Sequence, residues 1–368
     1  MKEANKYIFG ELADFVEHNQ IDVVIDRQKK RCIETNDEDK EWLKSLKVID
    51  EKYHILPNFQ TASFQYDGND YFVTIGVQEY LETNQEEEVI QFLELNAGIV
   101  TALLFELKIS VNKKVNPYKI RDEIFYPSES ESEDEIIPYE FSKVKDFFEP
   151  IFVYKIPENS PFLSLDKINI TRISGFCAVK SSQLISLKFS SDTLNQFEKL
   201  FIEGSKNIPY ESLLFSLVSV SWKYSFLDIY RCIERLFPIS ALEDLHKKLN
   251  LNIKCSLLDF ADDIESYIGW KPKENEALNK LINNSPDTAR QILRQVKADI
   301  EGTKKGNLGN FIYKIRNSIV HFRPATEQIK LDDNNWNRLI NSSLLVIEYW
   351  YAKYEPQLTD SNFSNDES

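Results

Sequence analysis

The pattern of apolar and polar positions changes character part way along the chain. Before residue 208, short apolar and aromatic runs such as "TASFQY", "DYFVTIGV" and "EPIFVYKI" are bounded by turn-forming residues, which is typical of β-strands. The sequence "YDGND" between the first two runs predicts a tight hairpin turn. "INITRISGFCAV" and "QLISLKF" predict further strands, and helical spacing from about 86 to 107 predicts one helix.

From about Ile208 the apolar residues recur at three-four spacing, which indicates consecutive helices. "YESLLFSLVSVSWKYSFLDIYRCIERLF" predicts one long helix whose apolar seam becomes polar at Arg231 and Glu234. Shorter helices are predicted at "SLLDFADDIESYIGW" and "PDTARQILRQVKADI". The last helix, "NNWNRLINSSLLVIEYWYAKYE", carries an apolar stripe formed by Trp336, Ile340, Ile347, Trp350 and Tyr354.

These patterns predict an α+β protein in which a mixed, β-rich N-terminal region precedes an all-α helical bundle. The acidic segment "PSESESEDEIIP" contains too little apolar surface to order itself. The predicted organisation is a mixed α/β domain at 1–126, an acidic linker or loop at 127–138, a β-rich continuation at 139–207, a helical domain at 208–355 and a disordered tail at 356–368.

Composition favours a folded cytoplasmic protein. The chain is 42% hydrophobic, which is ample for a core at a length of 368 residues. Its four cysteines lie far apart and form no Cys-x-x-Cys pair, so neither a disulfide framework nor a zinc site is predicted. The N-terminus lacks a basic segment leading into an apolar run, and the most apolar window, 97–107, is too short to span a bilayer. We therefore expect neither secretion nor a membrane span.

The chain has a net charge of -15, but one of its segments has a net positive charge. Residues 286–330 contain nine lysines and arginines against four acidic residues, a local net charge of +5. Such a segment is often only a solvated helix face, but the local field is what a ligand meets at a site. This basic segment also contains the least ordinary stretch of the chain.

That stretch is "FIYKIRNSIVHFRP" at 311–324, an apolar helix that contains an arginine, an asparagine and a histidine. We expect Asn307 or Asn310 to cap the helix and the residue before Pro324 to leave helical geometry, so that the helix ends near His321 or Phe322. At about 100° per residue, Asn317 and His321 are about 40° apart, whereas Arg316 and His321 are about 140° apart. Arg316 and His321 are both expected at the exposed end of the helix.

The spelling Arg316-Asn317-x-x-x-His321, an Arg-x4-His pattern near the end of a helical bundle, resembles the signature of the HEPN superfamily. The resemblance covers roughly 208–355. It implies a HEPN-like bundle that acts as a homodimeric endoribonuclease without a metal or other cofactor, and many members serve in toxin–antitoxin systems or bacterial anti-phage defence (abortive infection). A β-rich region ahead of such a bundle is similar to the architecture of ApeA-like defence proteins, which implies an N-terminal sensor of a phage or cellular trigger.

The chemistry of RNA cleavage suits these residue types. The ribose 2′-OH attacks the adjacent phosphate, so a proton-transfer group and a fixed cation are needed, and His321 and Arg316 supply them. Asn317 either orients the histidine or holds a phosphate oxygen, or else is a helix-surface amide. Arg231 and Glu234 either position the motif from behind or form an ion pair with each other. The residues expected to hold the RNA backbone are Lys304, Lys305, Lys314 and Arg323.

Three alternatives remain open at the level of sequence. Arg316 can pair with a carboxylate such as Glu234 while His321 caps the helix, in which case both only stabilise the bundle. A HEPN-like dimer can bind RNA, a nucleotide or a protein partner without cleaving it. The N-terminal half can also be the functional part. Other chemistries lack their motifs, because "GTKKGNLG" has no P-loop ending and no Gly-x-Ser-x-Gly, His-Glu-x-x-His or Rossmann fingerprint occurs.

Overall fold

The structure, a computed structural model, describes residues 1–19, 24–78, 89–126, 136–164, 167–249, 255–320 and 329–358. Contacts within the chain define two compact units, an N-terminal unit at Met1–Ile170 and a C-terminal unit at Thr171–Ser368. The first contains strands and helices and the second is all helical from about residue 170, which confirms the predicted α+β class. No helix in the described ranges is long and apolar enough to cross a membrane.

The N-terminal unit contains five α-helices, one π-helical turn and nine strands in its described residues. The helices are α1 (Lys2–His18), α2 (Asp37–Ser45), α3 (Ala97–Glu106), α4 (Pro117–Ile120) and α5 (Phe141–Lys145), with the π-helical turn at Arg121–Phe125. The strands are β1 (Arg31–Ile33), β2 (Lys47–Leu56), β3 (Phe59–Tyr66), β4 (Asn69–Ile75), β5 (Gln91–Leu93), β6 (Ile137–Tyr139), β7 (Ile151–Ile156), β8 (Leu163–Ser164) and β9 (Lys167–Ile168).

Five of these strands form an antiparallel sheet in the order β2-β3-β4-β7-β5. The hairpin predicted at "YDGND" is confirmed, since β3 and β4 are joined at Asp67 and Gly68, whose φ angles are 48° and 71°. Two successive positive φ angles match the right-handed twist of the flanking strands, and Asp-Gly tolerates them. Buried side chains of β3 and β4 pack with α1 and α3 in the main core of this unit.

The acidic linker prediction is wrong at its C-terminal end. Residues 127–135 lie outside the described ranges, but Ile137–Tyr139 form β6, which pairs in parallel with β1. Ile137 is buried, whereas Ile136 is 56% exposed, so the chain enters the core of this unit at the second of the two isoleucines that close the acidic segment. Because β7 also lies between β4 and β5, residues before and after the acidic segment belong to the same sheet.

The single helix expected at 86–107 is also wrong. In the described part of this range, β5 precedes a helix that begins only at Ala97. Asn96 caps that helix by accepting a hydrogen bond from Ile99 N at 2.8 Å, and the Asp39 carboxylate accepts one from Gly98 N at 2.9 Å. Side-chain acceptors at these amides define a helix start that apolar spacing alone does not reveal.

The C-terminal unit consists of helices joined by short connections. They are α6 (Ile170–Lys180), α7 (Ser191–Glu203), α8 (Tyr210–Leu217), α9 (Trp222–Glu234), α10 (Phe237–Leu249), α11 (Leu257–Ile268), α12 (Glu274–Asn283), α13 (Asp287–Glu301), α14 (Leu308–Val320) and α15 (Asp333–Leu358). α15 packs against α7, α9 and α13, and the five residues of its predicted apolar stripe are all buried. It extends to Leu358, so the tail prediction is wrong for 356–358, and 359–368 lie outside the described residues.

The strands predicted at "INITRISGFCAV" and "QLISLKF" are wrong, so helix begins near 170 instead of 208. In α6 the buried side chains Ile173, Phe176 and Cys177 follow helical spacing. Gly175 leaves room for the Phe201 ring of α7, because a Cβ atom at position 175 would lie 2.1 Å from that ring. In the second of these segments, the backbone carbonyl of Lys188 accepts a hydrogen bond from the Asn337 side-chain amide at 2.9 Å. A side chain thus satisfies a backbone group that a neighbouring strand would otherwise satisfy.

The long helix expected from Tyr210 onward is broken into α8 and α9. At the break, the Ser219 hydroxyl accepts a hydrogen bond from Ser221 N at 3.3 Å and donates to Ser221 O at 3.1 Å. Such local serine contacts compete with helical hydrogen bonds. The chain turns back there, so Val220 and Tyr224, which an unbroken helix would place on the apolar seam, are exposed at 78% and 64%.

Candidate functional site

The helix that contains the Arg-x4-His motif, α14, begins at an asparagine cap. The Asn307 side chain accepts hydrogen bonds from Gly309 N at 2.9 Å and Asn310 N at 3.2 Å, which confirms Asn307 as the cap. Gly309 lies directly against α12, since a Cβ at this position would be 2.7 Å from Asn279 Cα. The close approach of the two backbones places the next turns of α14 beside α12 and α9.

The apolar side of α14 is largely as predicted. Phe311, Ile312, Ile315 and Ile319 are buried, whereas Val320 is 43% exposed. The described part of the helix reaches Val320, and the predicted residues His321 and Arg323 lie outside the described ranges. The structure therefore places two of the three predicted catalytic residues, Arg316 and Asn317.

Arg316 is held between two carboxylates and an aromatic ring. Its Nε lies 3.5 Å from Glu274 Oε1 at the start of α12, and its Nη2 lies 4.0 Å from Glu234 Oε1 on α9. The guanidinium carbon is 5.7 Å from the centre of the Tyr230 ring. The side chain is only 20% exposed. Arg316 is therefore not at an open helix end as its sequence position suggested, because side chains of two neighbouring helices, α9 and α12, surround it.

Tyr230 and Glu274 complete this cluster. The Tyr230 hydroxyl donates to Glu274 Oε1 at 2.8 Å, so a phenol and a guanidinium share one carboxylate oxygen. Burial raises the pKa of Tyr230 well above its ordinary value, and the hydrogen bond to Glu274 raises it further, so the phenol stays protonated as a donor. Glu274 is in the first turn of its helix, where the helix dipole favours a negative charge.

Glu234 is the more weakly neutralised of the two carboxylates. Burial raises its pKa, and the neighbouring charge of Glu274 raises it further, while Arg316 and Arg231 act in the opposite direction. With both carboxylates ionised, two negative charges surround one arginine. The local net charge is then negative, although the surrounding segment is basic.

Of the two supporting residues that the sequence indicated, only Glu234 faces the motif. Arg231 instead pairs with Asp228 one turn back, with Nη1 2.7 Å from Oδ1, and its side chain is 68% exposed. An acid N-terminal to its cation on a helix is the more favourable arrangement. This leaves Glu234 free to face Arg316, as in the structural alternative that pairs those two residues.

Asn317 extends the cluster toward solvent. Its Oδ1 accepts a hydrogen bond from Arg316 Nη1 at 3.1 Å. The amide oxygen thereby fixes one edge of the guanidinium. Asn317 also lines a cleft formed by the end of α13, the side of α14 and residues 329–335.

The predicted RNA-binding lysines have different surroundings. Lys304 and Lys305 are exposed in the connection between α13 and α14, and the Lys305 backbone donates to Thr303 Oγ1. Lys314 Nζ lies 3.3 Å from Glu301 Oε1. Glu301 also pairs with Lys297, and this hydrogen bond is the largest influence lowering the pKa of Glu301. The positive charge of the segment is thus partly neutralised within it.

Sequence reasoning missed Tyr230 and Glu274. Tyr230 directly precedes Arg231, and the apolar seam of the predicted helix singled out the charged Arg231 but not the tyrosine beside it. Glu274 begins α12, a helix that the apolar pattern did not predict. The signal that was present is the acidic sequence "ENE" at 274–276, which is typical of a first helical turn.

Similarity to known proteins does not identify this site. No protein-family model, curated protein or solved structure matches the chain. The resemblance to the HEPN superfamily therefore depends on the Arg-x4-His spacing and on the helical surroundings of the motif. Inferences about function come from Arg316, Asn317 and the side chains that contact them.

Proposed function

We propose that the chain is a metal-independent endoribonuclease of HEPN type whose catalytic residues are Arg316, Asn317 and His321. The observation that supports this proposal is the guanidinium of Arg316, which is oriented from behind by Glu274 and Glu234 and along one edge by Asn317. A cation fixed in this way is suited to a phosphate that gains charge in a transition state, because the protein does not need to reorganise.

In the proposed reaction, the ribose 2′-oxygen attacks the adjacent phosphorus. The O2′–P bond forms and the P–O5′ bond breaks, which leaves a 2′,3′-cyclic phosphate on one fragment and a 5′-hydroxyl on the other. His321 accepts the proton of the attacking hydroxyl or donates a proton to the leaving oxygen. Arg316 stabilises the negative charge on the phosphoryl oxygens.

One motif cannot supply both proton transfers at once. We therefore propose a homodimer formed through the C-terminal helical unit, in which two copies of the motif face one phosphodiester. Sedimentation of the full chain at micromolar concentration should detect this dimer. A monomer whose cleavage rate is first order in protein would contradict it.

The N-terminal unit is proposed to sense a phage or cellular trigger and to restrain the nuclease, as in bacterial abortive infection or a toxin system. The candidate catalytic residues and the basic segment are all C-terminal, whereas the acidic run "ESESEDE" precedes them and would repel RNA. Deleting the N-terminal unit should change how cleavage depends on infection or stress.

The decisive experiment compares RNA cleavage by wild type and His321→Ala in EDTA. Losing the proton-transfer group should lower the rate about a hundred- to ten-thousand-fold. His18→Ala is the matched control, since His18 is exposed and the hydrogen bond of its ring among the described residues is to Asp14 O on the same helix. Wild-type cleavage by His321→Ala, or activity that needs added magnesium, would overturn the proposal.

A specific observation also favours a second function, that of a HEPN-like dimer that binds RNA, a nucleotide or a protein partner without cleaving it. Both carboxylates beside Arg316 neutralise its charge, and the side chain is mostly buried. Such a cluster stabilises helix packing whether or not a phosphate binds. If His321→Ala retains the biological effect and no RNA is cut by wild type, this function takes the place of the nuclease.

A further inference from the structure

A cleft of about 1000 Å³ lies beside Asn317 in the C-terminal unit. The last turn of α13, one side of α14 and residues 329–335 form its walls. A volume of this order is at the upper end for small-ligand sites. Its polar lining includes Tyr313, Lys314, Asn317, Lys330 and Asn335.

The carboxylates in the walls of the cleft already have partners. Asp299 pairs with Arg338, and Glu301 pairs with Lys297 and Lys314. Asp332 accepts a hydrogen bond from Asn335 N at 2.7 Å, which caps the start of α15. Each of these three carboxylates therefore already has a partner within the fold, and two of them, Asp299 and Glu301, are neutralised by cations.

The groups that remain directed to the cleft are of a different kind. Among the described residues, neither the Tyr313 hydroxyl nor the Lys330 ammonium has a hydrogen-bond or ion-pair partner. Asn317 and Asn335 use their side-chain oxygens to accept from Arg316 and Arg338, so the amide N–H groups are the available donors. The cleft thus offers one aromatic ring, two amide donors and one cation.

We infer that this cleft binds one ribonucleotide unit, with the base stacked on Tyr313, its edge contacted by Asn317 or Asn335, and the phosphate near Lys330. Aromatic rings and amides are the groups that proteins use to hold single-stranded bases, and a lysine suits a phosphate. An acidic peptide fits less well, because it would need several unpaired cations. Since Asn317 also contacts Arg316, the phosphate next to the bound nucleotide of an RNA would reach the arginine. That this phosphate is the one cleaved rests on the proposed function.

Calorimetric titration of the full chain tests the cleft without any cleavage. The probes are the four ribonucleoside 5′-monophosphates and a 2′-O-methyl pentanucleotide, which lacks the attacking hydroxyl. Tyr313→Ala should weaken binding about tenfold through the loss of stacking, whereas Tyr313→Phe should retain it. Lys330→Ala should weaken binding and reduce its dependence on salt.

The matched controls are Tyr267→Ala and Lys206→Ala, which remove an exposed tyrosine and an exposed lysine elsewhere in the same unit. If the pentanucleotide binds more tightly than every monophosphate, the ligand is RNA. If a monophosphate binds more tightly than the pentanucleotide, the ligand is a free nucleotide. Both outcomes support the inference. No binding by wild type, or equal losses in Tyr313→Ala and Tyr267→Ala, would overturn it. Tyr313-dependent binding in a protein that does not cleave RNA would retain the cleft and reject only the nuclease.

Discussion

Arg316 and Glu274, on helices α14 and α12, are joined by an ion pair in which Nε lies 3.5 Å from Oε1. The same carboxylate oxygen accepts the Tyr230 hydroxyl of α9 at 2.8 Å. Three helices therefore meet at one oxygen atom. With only 20% of the arginine and 25% of the glutamate side chain exposed, solvent screens this pair less than the surface pairs of the same unit.

Truncating Arg316 should destabilise the C-terminal unit more than truncating a surface arginine. Arg316→Ala leaves Glu274 and Glu234 facing each other without a cation, at an expected cost of about 2 kcal/mol. Adding Glu274→Gln removes one of those charges and should recover part of the loss. Urea unfolding of both single variants and the double variant measures the coupling.

Arg231→Ala is the control for this cycle, because Arg231 is 68% exposed and pairs with Asp228 on its own helix. It should change stability by less than about 1 kcal/mol. If Arg316→Ala proves no more costly than Arg231→Ala, the ion pairs of Arg316 do not stabilise the bundle.

Neutralising Glu234 should strengthen RNA binding. Glu234→Gln keeps the shape of the side chain and removes one of the two negative charges beside Arg316. A gain of about 1 kcal/mol, roughly a fivefold lower Kd, is expected for a phosphate about 6 Å away. Fluorescence titration with a 2′-O-methyl oligoribonucleotide measures it, and added salt should diminish it.

The control is Glu276→Gln, which also removes one negative charge, but from an exposed glutamate of α12 that pairs with Lys273. This variant should have little effect on Kd. Equal gains in both variants would mean that overall charge, and not the field at Arg316, controls binding.

Glu234 should also make stability depend on pH. Because its folded pKa is raised above the ordinary value of 4.5, the folded protein holds this proton more tightly than the unfolded chain. The stabilising contribution is present below pH 4.5 and is lost as pH rises through the folded value. Relative to wild type, Glu234→Gln should therefore gain melting temperature between pH 4.5 and 7.

Arg316, Arg231 and Glu274 face Glu234 in both proteins, so the comparison of wild type and variant isolates the glutamate. Melting curves across this pH range measure the difference. A constant difference between pH 4.5 and 7, or one that changes with the opposite sign, would contradict the raised pKa.

The contact of α14 with α12 should not tolerate a methyl group at Gly309. A Cβ there would be 2.7 Å from Asn279 Cα and 2.8 Å from Asn279 N, and backbone atoms cannot rotate away as a flexible side chain can. Gly309→Ala should destabilise the C-terminal unit by about 1–3 kcal/mol. Calorimetry of the full chain measures this change.

Gly10→Ala offers the opposite case within α1, where a Cβ would have no heavy atom within 4 Å. Alanine at this helical position should stabilise the N-terminal unit by about 0.5–1 kcal/mol. A neutral effect of Gly309→Ala would show that α12 and α14 can separate without loss, and the placement of Glu274 beside Arg316 would then be less constrained than the close contact implies.

Features that depend on neighbouring residues were predictable from the sequence. Asp67 and Gly68 form the expected turn because their own backbone preferences permit positive φ angles. Asn307 caps α14 because its side chain reaches amides only two and three residues away. The stripe of α15 is buried as predicted because helical periodicity alone places its residues on one side.

Features that depend on residues far apart in the chain were decided by the tertiary structure. β7 lies between β4 and β5, and helix α6 forms where an alternating pattern predicted a strand, because packing against distant segments outweighs local preference. The same holds at the site. The sequence by itself determined that Arg316 and Asn317 are adjacent on one helix. Only the packing of α9 and α12 brought Tyr230, Glu234 and Glu274 within reach of that arginine. The reason is that the distance between charges on different helices depends on how the helices pack and not on their spacing in the chain.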